Sequence, residues 1–266
     1  MNGVKLHMAS LRTCLGALDG KRVLLQCQIN SGSVYFDYKQ QFSTVLLALV
    51  DAKYRFLYVD VGTYGRQSDA GVYANSKLND ALEQNTRHVP PPEPLPGTNI
   101  SAPYVVVADD AFPMKKYLLK PYPGRAYSDK ESRIFNYRIS RARRVVENAF
   151  GILGSRWRVL RGRMCVCPET AEKVVLAACA LHNYLMTPTE GSTSIYCPDG
   201  MADTEDTQSG TVIAGSWRAD VGSVHSWLAL HQQGNRGHAA SAKEVRDVYR
   251  HYFSGTGKVA WQDNVI

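Results

Sequence analysis

The sequence has 266 residues, of which 44% are hydrophobic and 21% are charged, and its formal net charge is +7 at pH 7. This length and composition exclude a wholly disordered chain, because enough apolar surface is present to bury a complete core. The longest apolar run, residues 45–50, is far too short for a membrane span, and the N-terminus lacks the apolar core of a secretion signal. We therefore expect neither membrane insertion nor secretion, and the surplus of Lys and Arg suits a polyanionic partner.

Hydrophobic strands are predicted in the first half of the chain. Residues 14–19 are mostly apolar and end in an acid, and 23–26 continue as extended chain. The near-continuous apolar run at 42–50 is typical of a strand buried on both faces, and with the alternating residues 54–61 it predicts a hairpin. A helix is expected over 70–83, a Pro-rich surface excursion over 89–103, and a further buried strand over 104–108.

Longer helices are predicted in the second half. Ser128 and Glu131 have the spacing of a capping box, and apolar residues then recur every three or four positions to about residue 154. Residues 157–166 are basic and then strand-like, and 168–185 form a helix that opens with Pro and acids. Residues 187–221 are expected to be irregular, with a last amphipathic helix over 241–253. Strands flanked by helices predict a layered α/β or α+β domain.

Four acids stand where strands or a helix could bring them together. Asp19 and Asp109 each close an apolar strand, Asp69 lies in a Gly/Ser loop after the hairpin, and Glu147 lies within the long helix. Converging carboxylates repel one another unless a cation compensates them, and oxygen ligands suit Mg²⁺ or Mn²⁺. The alternative is structural: an Asp at a strand end often caps a turn, and Glu147 could pair with an arginine one turn earlier.

Basic residues surround these acids in the sequence. Lys21 follows Asp19 closely, and several arginines precede Glu147 on the same predicted helix, where they could hold DNA phosphates independently of base sequence. The alternative is a solvated helix face whose charges pair with acids elsewhere. The predicted phosphate contacts are Lys21, Arg138, Arg141, Arg143 and Arg144.

The six cysteines are expected to be reduced thiols. Cys165 and Cys167 followed by His182 raise the alternative of a zinc site, but the spacing fits none of the usual structural patterns. Because His182 lies on a mostly apolar helix, we predict a hydrogen-bonded core histidine rather than a catalytic base.

The amino-acid sequence from about Cys14 to Ile266 resembles those of the Harbinger-type (PIF/Harbinger) transposases and of the nucleases derived from them. The resemblance depends on a combination of motifs rather than on any single one. They are LDGK, SGSVYFDYK, SDAGV, ADDAFP, NYRISRARRVVENAFG and ALHN. In that family a helical region with a helix-turn-helix-like segment precedes the first strand, and this sequence begins just before that strand.

The resemblance implies a ribonuclease H-like mixed sheet flanked by helices and a catalytic acid triad of the DDE type. By motif, the triad is Asp19, Asp109 and Glu147, with Asp69 as an additional metal-associated acid; Asp110 is the adjacent alternative to Asp109. It further implies a divalent metal cation, DNA as the substrate, a Myb-like DNA-binding partner, a nuclear or also cytoplasmic location, and a homo-oligomer if paired strands are cut.

We therefore expect a short extension over 1–13, a nuclease domain over 14–187 with the insertion at 89–103, and a C-terminal segment over 188–266 that packs on the core. The expected activity is hydrolysis of DNA phosphodiester bonds by a two-metal mechanism. Two alternatives stay open: a non-catalytic or truncated module that binds DNA or protein and uses the acids structurally, and a chain that folds poorly on its own.

Overall fold

The computed structural model describes residues 12–27, 35–37, 40–64, 67–86, 89–123, 129–187, 195–221, 227–229 and 239–266; of these, the side chains of 64, 69 and 227–229 are not described. The strands are β1 (Cys14–Leu24), β2 (Ser43–Val50), β3 (Phe56–Tyr64), β4 (Glu93–Pro94), β5 (Ser101–Ala102), β6 (Val105–Val107), β7 (Leu118–Leu119), β8 (Thr204–Glu205), β9 (Val212–Ile213) and β10 (Trp227–Ala229). The α-helices are α1 (Asp69–Ala74), α2 (Lys77–Glu83), α3 (Lys130–Arg156), α4 (Pro168–Met186), α5 (Trp217–Val221) and α6 (Ala240–Ser254).

The central sheet is mixed, with the strand order β3-β2-β1-β6-β7 and β10 paired beside part of β1. Strands β1, β2 and β3 form an antiparallel meander, of which the two hydrophobic runs predict the β2–β3 hairpin. Strand β6 then lies parallel to β1, and β7 lies parallel to β6. This five-strand path flanked by helices confirms the predicted α/β class and is consistent with a ribonuclease H-like fold.

The two faces of the sheet pack against different helices. On one face, Ala17 and Val23 of β1 join a core with α3, α4 and α6. On the other face, Leu18 of β1 packs with residues of α1 and α2. Because side chains alternate along a strand, the odd-numbered residues of β1 from Ala17 to Val23 point towards the α3 face. This alternation determines which acidic side chains lie on the α3 face of the sheet.

The long helices agree with the predicted spans to within two residues at each end, but the start of α3 differs in its cap. Asp129, not Ser128, is the N-cap: its Oδ1 accepts a hydrogen bond of 2.7 Å from the backbone N–H of Ser132. Ser128 lies outside the described residues. An Asp at this position satisfies a free amide and also suits the positive end of the helix dipole.

The single helix expected over 70–83 is two helices, because Ser76 interrupts it. The Ser76 hydroxyl donates to the carbonyl of Tyr73 at 2.7 Å and accepts from the N–H of Asn79 at 3.2 Å. One side chain therefore serves the end of α1 and the start of α2, which is the local competition that Ser offers to a continuous helix.

Three loop regions also differ from expectation or add detail. The basic stretch after α3 is a 3-10 helix (Arg158–Arg161) rather than a strand, and beyond it only Met164 bridges to Leu25. The Pro-rich excursion contains the β4–β5 hairpin, and the region expected to be irregular contains β8, β9 and α5. In the part of the chain described above, no helix is both long and apolar enough to cross a bilayer.

Candidate active site

Asp19 and Asp109 lie side by side on the α3 face of the sheet. Strand β6 runs parallel to β1 with Ala17 opposite Val107, and each acid stands two residues further along its own chain. The same alternation that turns Ala17 and Val107 towards α3 therefore turns both carboxylates towards it. Each acid retains only 8% exposure.

The charges around Asp109 are only partly compensated. Burial raises the pKa of the Asp109 carboxyl above its ordinary value, Arg143 opposes that shift, and the negative charge of Asp19 raises the pKa again. The Arg143 guanidinium is 4.0 Å from Asp109 Oδ2, at the outer limit of an ion pair, and the N–H of Ala111 donates to Oδ1 at 2.9 Å. The pair thus carries more negative charge than its surroundings offset.

The neighbouring Asp110 is held elsewhere. Its Oδ1 is 3.3 Å from Nζ of Lys120, a lysine with 1% exposure that also donates to the Asp110 carbonyl at 2.8 Å. This buried lysine compensates the Asp110 carboxylate. Of the two adjacent acids, Asp109 is therefore the one that faces Asp19.

Glu147 lies on α3, one turn beyond Arg143, and is half-buried. The hydrogen bond with Asp203 raises the pKa of Arg218, and the carboxylate of Glu147 adds a smaller effect in the same direction. Among the residues with described side chains, no group of three or more His, Cys, Asp or Glu lies close enough to hold a metal ion. Asp69 begins α1, but its side chain lies outside the described part.

Two of the predicted basic residues border the acid pair. Lys21 is two positions beyond Asp19 on the same strand and the same face, and its Nζ lies 5.8 Å from the centre of the Phe150 ring. Arg143 faces Asp109, as given above. Both are partly exposed, so a phosphate could approach them.

Arg138 and Arg141, also predicted to contact phosphates, lie in the interior instead. Arg138 has 4% exposure; it donates to the carbonyl of Gly257 at 2.7 Å and stacks on Phe253, and burial lowers its pKa to about 10. Arg141 has 2% exposure, binds Glu205 through Nε and stacks on Trp261. These contacts argue against a DNA role for either residue, because a phosphate could not reach them without opening the fold.

Two acids with buried side chains beside α3 have no role predicted from the sequence. Glu205 accepts from Arg141 and from the Tyr137 hydroxyl at 2.7 Å, and Arg144 is 3.9 Å away. Asp203 has 0% exposure and binds Arg218. The signal that could have found Asp203 is the WRAD sequence, whose arginine is this partner; nothing local in the sequence marks Glu205.

The ALHN motif fixes α4 to β3. Both ring nitrogens of His182 are hydrogen-bonded, Nδ1 with the Tyr196 hydroxyl at 2.9 Å and Nε2 with the carbonyl of Tyr54 at 2.8 Å, and burial lowers its pKa to about 4. The Asn183 side-chain amide both accepts from the N–H of Phe56 and donates to its carbonyl, each at 2.8 Å.

The structure confirms the predicted core histidine and does not support a zinc role for it. The thiols of Cys165 and Cys167 are exposed, whereas His182 has 0% exposure and hydrogen bonds at both nitrogens.

Comparison with known proteins agrees with this fold. The sequence profile of a family described as DDE superfamily endonuclease matches residues 18–183. A protein of Arabidopsis thaliana, "Protein ALP1-like", is 30% identical over 182 residues, which cover 67% of this chain and 44% of that protein. The chain therefore spans less than half the length of this curated relative. No solved structure matches.

Proposed function

Because the chain belongs to the DDE superfamily endonucleases and to their Harbinger transposase-derived branch, we propose that it is a metal-dependent DNA endonuclease that hydrolyses phosphodiester bonds. The observation that carries this proposal is the partly compensated pair Asp19 and Asp109. Both carboxylates are buried, and the Arg143 guanidinium is 4.0 Å from that of Asp109. This incomplete charge compensation favours the binding of a cation.

The two carboxylates at this position suit a divalent metal, which would need Glu147 or Asp69 to approach them as a further ligand. Their donors are carboxylate oxygens, which suit Mg²⁺ or Mn²⁺ rather than softer metals. Burial raises the pKa of Asp109, and the negative charge of Asp19 raises it further; a bound cation would oppose both effects. We assign Asp19 and Asp109 as the main ligands, Glu147 as the third acid from α3 and Asp69 as an assisting acid.

When bound, a pair of such cations lowers the pKa of a water and stabilises the leaving oxygen of a phosphodiester. The chain itself supplies the rest. Arg143 and Lys21 would hold the backbone phosphates beside the acids, and such contacts carry no base specificity. Arg144, the other predicted phosphate contact on this helix, lies 3.9 Å from Glu205. The N–H of Ala111 fixes Oδ1 of Asp109, which leaves Oδ2, with Arg143 at 4.0 Å, as the oxygen that would bind the metal.

Plasmid nicking with Mg²⁺ or Mn²⁺ tests the proposal. Asp19→Asn and Asp109→Asn should each reduce nicking by on the order of 100-fold or more, because each removes charge where the metal binds. Asp110→Asn is the matched control, since it changes the adjacent acid that faces Lys120. Nicking by both site variants at the wild-type rate, with the chains folded, would refute the assignment.

A second candidate is a DNA-binding module without catalysis. It is favoured by the position of Glu147, which has Arg218 as a charged neighbour. Calorimetric titration with Mn²⁺ separates the two: a nuclease binds the ion saturably and loses that binding in Asp109→Asn, whereas the module binds DNA without it. A nuclear location and a Myb-like partner belong to the proposal and await localisation and co-purification experiments.

A further inference from the structure

The outward face of α4 is apolar, which is unusual for a surface helix. Its inner face packs on β3 and the core through residues such as Val175 and His182. On the opposite side, Leu176 is 46% exposed, Leu181 is 45% exposed and Tyr184 is 76% exposed. Surface helices normally carry polar residues on this side. Nothing in the described part of the chain covers this face.

The exposed residues of this face, which we call the α4 stripe, recur at helical spacing. They are Lys173, Leu176, Ala177, Ala180, Leu181 and Tyr184, all exposed. By size, the order reads the same from both ends: a long side chain, Leu, Ala, then Ala, Leu and a long side chain. A surface with this symmetry is complementary to itself when one copy is turned end to end.

We propose that the α4 stripe binds a second copy of this chain as an antiparallel helix pair around a two-fold axis. An isologous interface requires the same patch on both subunits, and the symmetric order provides it. In this register Leu176 faces the partner's Leu181, and Ala177 faces the partner's Ala180. The small alanines at the centre allow the helix axes to approach to about 8 Å.

The two ends of the α4 stripe are also complementary to each other in this antiparallel pairing. Lys173 faces the partner's Tyr184, where an ammonium group over an aromatic ring is attractive, and the two-fold axis repeats this contact at the other end. No like charges oppose each other in this register. A head-to-head parallel pair would instead bring Lys173 against the partner's Lys173.

The area of the stripe is enough for a weak dimer. Its two leucines and tyrosine, together with the exposed alanines and Lys173, present roughly 450 Å² of mainly apolar surface, within the range of patches that mark interaction sites. Two copies would bury about 900 Å², at the low end for a specific interface, so a reversible dimer is expected. The proposal is independent of the nuclease activity.

Sedimentation velocity of the full chain over a concentration series tests the dimer. We expect the dimer fraction to increase with concentration. Leu181→Glu should raise the dimer dissociation constant by about 30-fold or more, since a charge would be buried against the partner's Leu176. Ile213→Glu is the matched control: it is 58% exposed on β9, away from the stripe, and should dimerise as wild type does. Tyr184→Ala, at the most exposed stripe position, should also weaken the dimer without affecting folding.

A mixing experiment tests the register. Leu176→Lys and Leu181→Glu should each be largely monomeric alone, and a mixture should form a heterodimer through one new ion pair and one retained Leu–Leu contact. A wild-type chain that stays monomeric at every concentration would overturn the proposal and point to a different occupant of the face. Variants that dimerise like wild type, or a mixture that stays monomeric, would overturn it as well.

Discussion

Two pairs of buried acids flank helix α3, and they differ in how their charge is balanced. Asp203 and Glu205 each have arginine partners at hydrogen-bonding distance, and Glu205 also has the Tyr137 hydroxyl. Asp109 has only Arg143, at 4.0 Å, as an ion-pair partner among the described residues, and the pKa of Asp109 is raised by burial and then by the negative charge of Asp19. Burial is similar, so burial alone does not separate structural acids from reactive ones. The separation lies in the partners that the chain supplies.

This contrast gives each pair a different expected response to substitution. Removal of an acid from the balanced pair leaves a buried arginine without its counter-charge and should destabilise the fold. Removal of an acid from the partly compensated pair relieves repulsion and should stabilise it.

Glu205→Ala should lower the free energy of unfolding by about 3–5 kcal/mol, because Arg141 would remain buried without a carboxylate partner. Urea denaturation measures the change. Glu205→Gln keeps the shape and part of the hydrogen bonding, and should lose less. A loss below about 1 kcal/mol for the alanine variant would mean that the balanced pair does not stabilise the fold as inferred.

His182, like the balanced acids, has hydrogen-bond partners for its buried polar atoms. Its burial predicts that the stability of the fold depends on pH. Its pKa is lowered to about 4 in the folded state, from 6.5. The unfolded chain therefore binds more protons between these values, and stability should fall by up to about 3 kcal/mol as the pH decreases from 6.5 towards 4.

The difference between wild type and His182→Gln isolates this contribution, since both share the titration of every carboxyl group. Unfolding free energies at several pH values in this range provide the measurement. Parallel pH curves for the two chains would contradict the assignment.

Saturating Mn²⁺ should stabilise the wild type by about 2.7 kcal/mol when the free ion exceeds its dissociation constant 100-fold. The melting temperature should rise accordingly. Asp109→Asn should lose this response because the cation loses a ligand, whereas Asp110→Asn should retain it. Equal responses in all three chains would place the ion elsewhere.

In the presence of a chelator, Asp109→Asn should raise the unfolding free energy at pH 7 by about 1 kcal/mol, or the melting temperature by about 2–4 °C. The sign follows from the raised pKa: the folded state holds the proton more tightly, so the charged form at neutral pH disfavours folding. At a pH low enough to protonate Asp109 in both states, the gain should disappear. A destabilised variant at pH 7 would remove the contrast between the two pairs.

The sequence predicts local features of the fold and misses those that depend on distant contacts. The hairpin of β2 and β3 and the spans of α3 and α4 follow from hydrophobic spacing within each segment. The interior positions of Arg138 and Arg141 do not, because arginines three residues apart on a helix look like a solvated face. Their partners, such as Glu205 and Trp261, lie more than sixty residues away.

The candidate site divides in the same way. Motif resemblance selects Asp19 and Asp109, but their adjacency depends on the parallel register of β1 and β6, which no local pattern encodes. Which of Asp109 and Asp110 faces Asp19 depends on Lys120, which pairs with Asp110. No local sequence pattern marks this lysine as important. The position of Glu147 relative to the aspartates stays a prediction to be tested with metal bound.

The Asn183 amide on Phe56 has a consequence for behaviour in concentrated solution. Strand β3 is the edge strand of the sheet, and the unpaired backbone groups of an edge strand can form hydrogen bonds with a strand of a neighbouring molecule. The Asn183 carboxamide hydrogen-bonds both the N–H and the carbonyl of Phe56, as the backbone of an additional strand would. The backbone of Phe56 is thereby unavailable for edge-to-edge pairing with a second sheet.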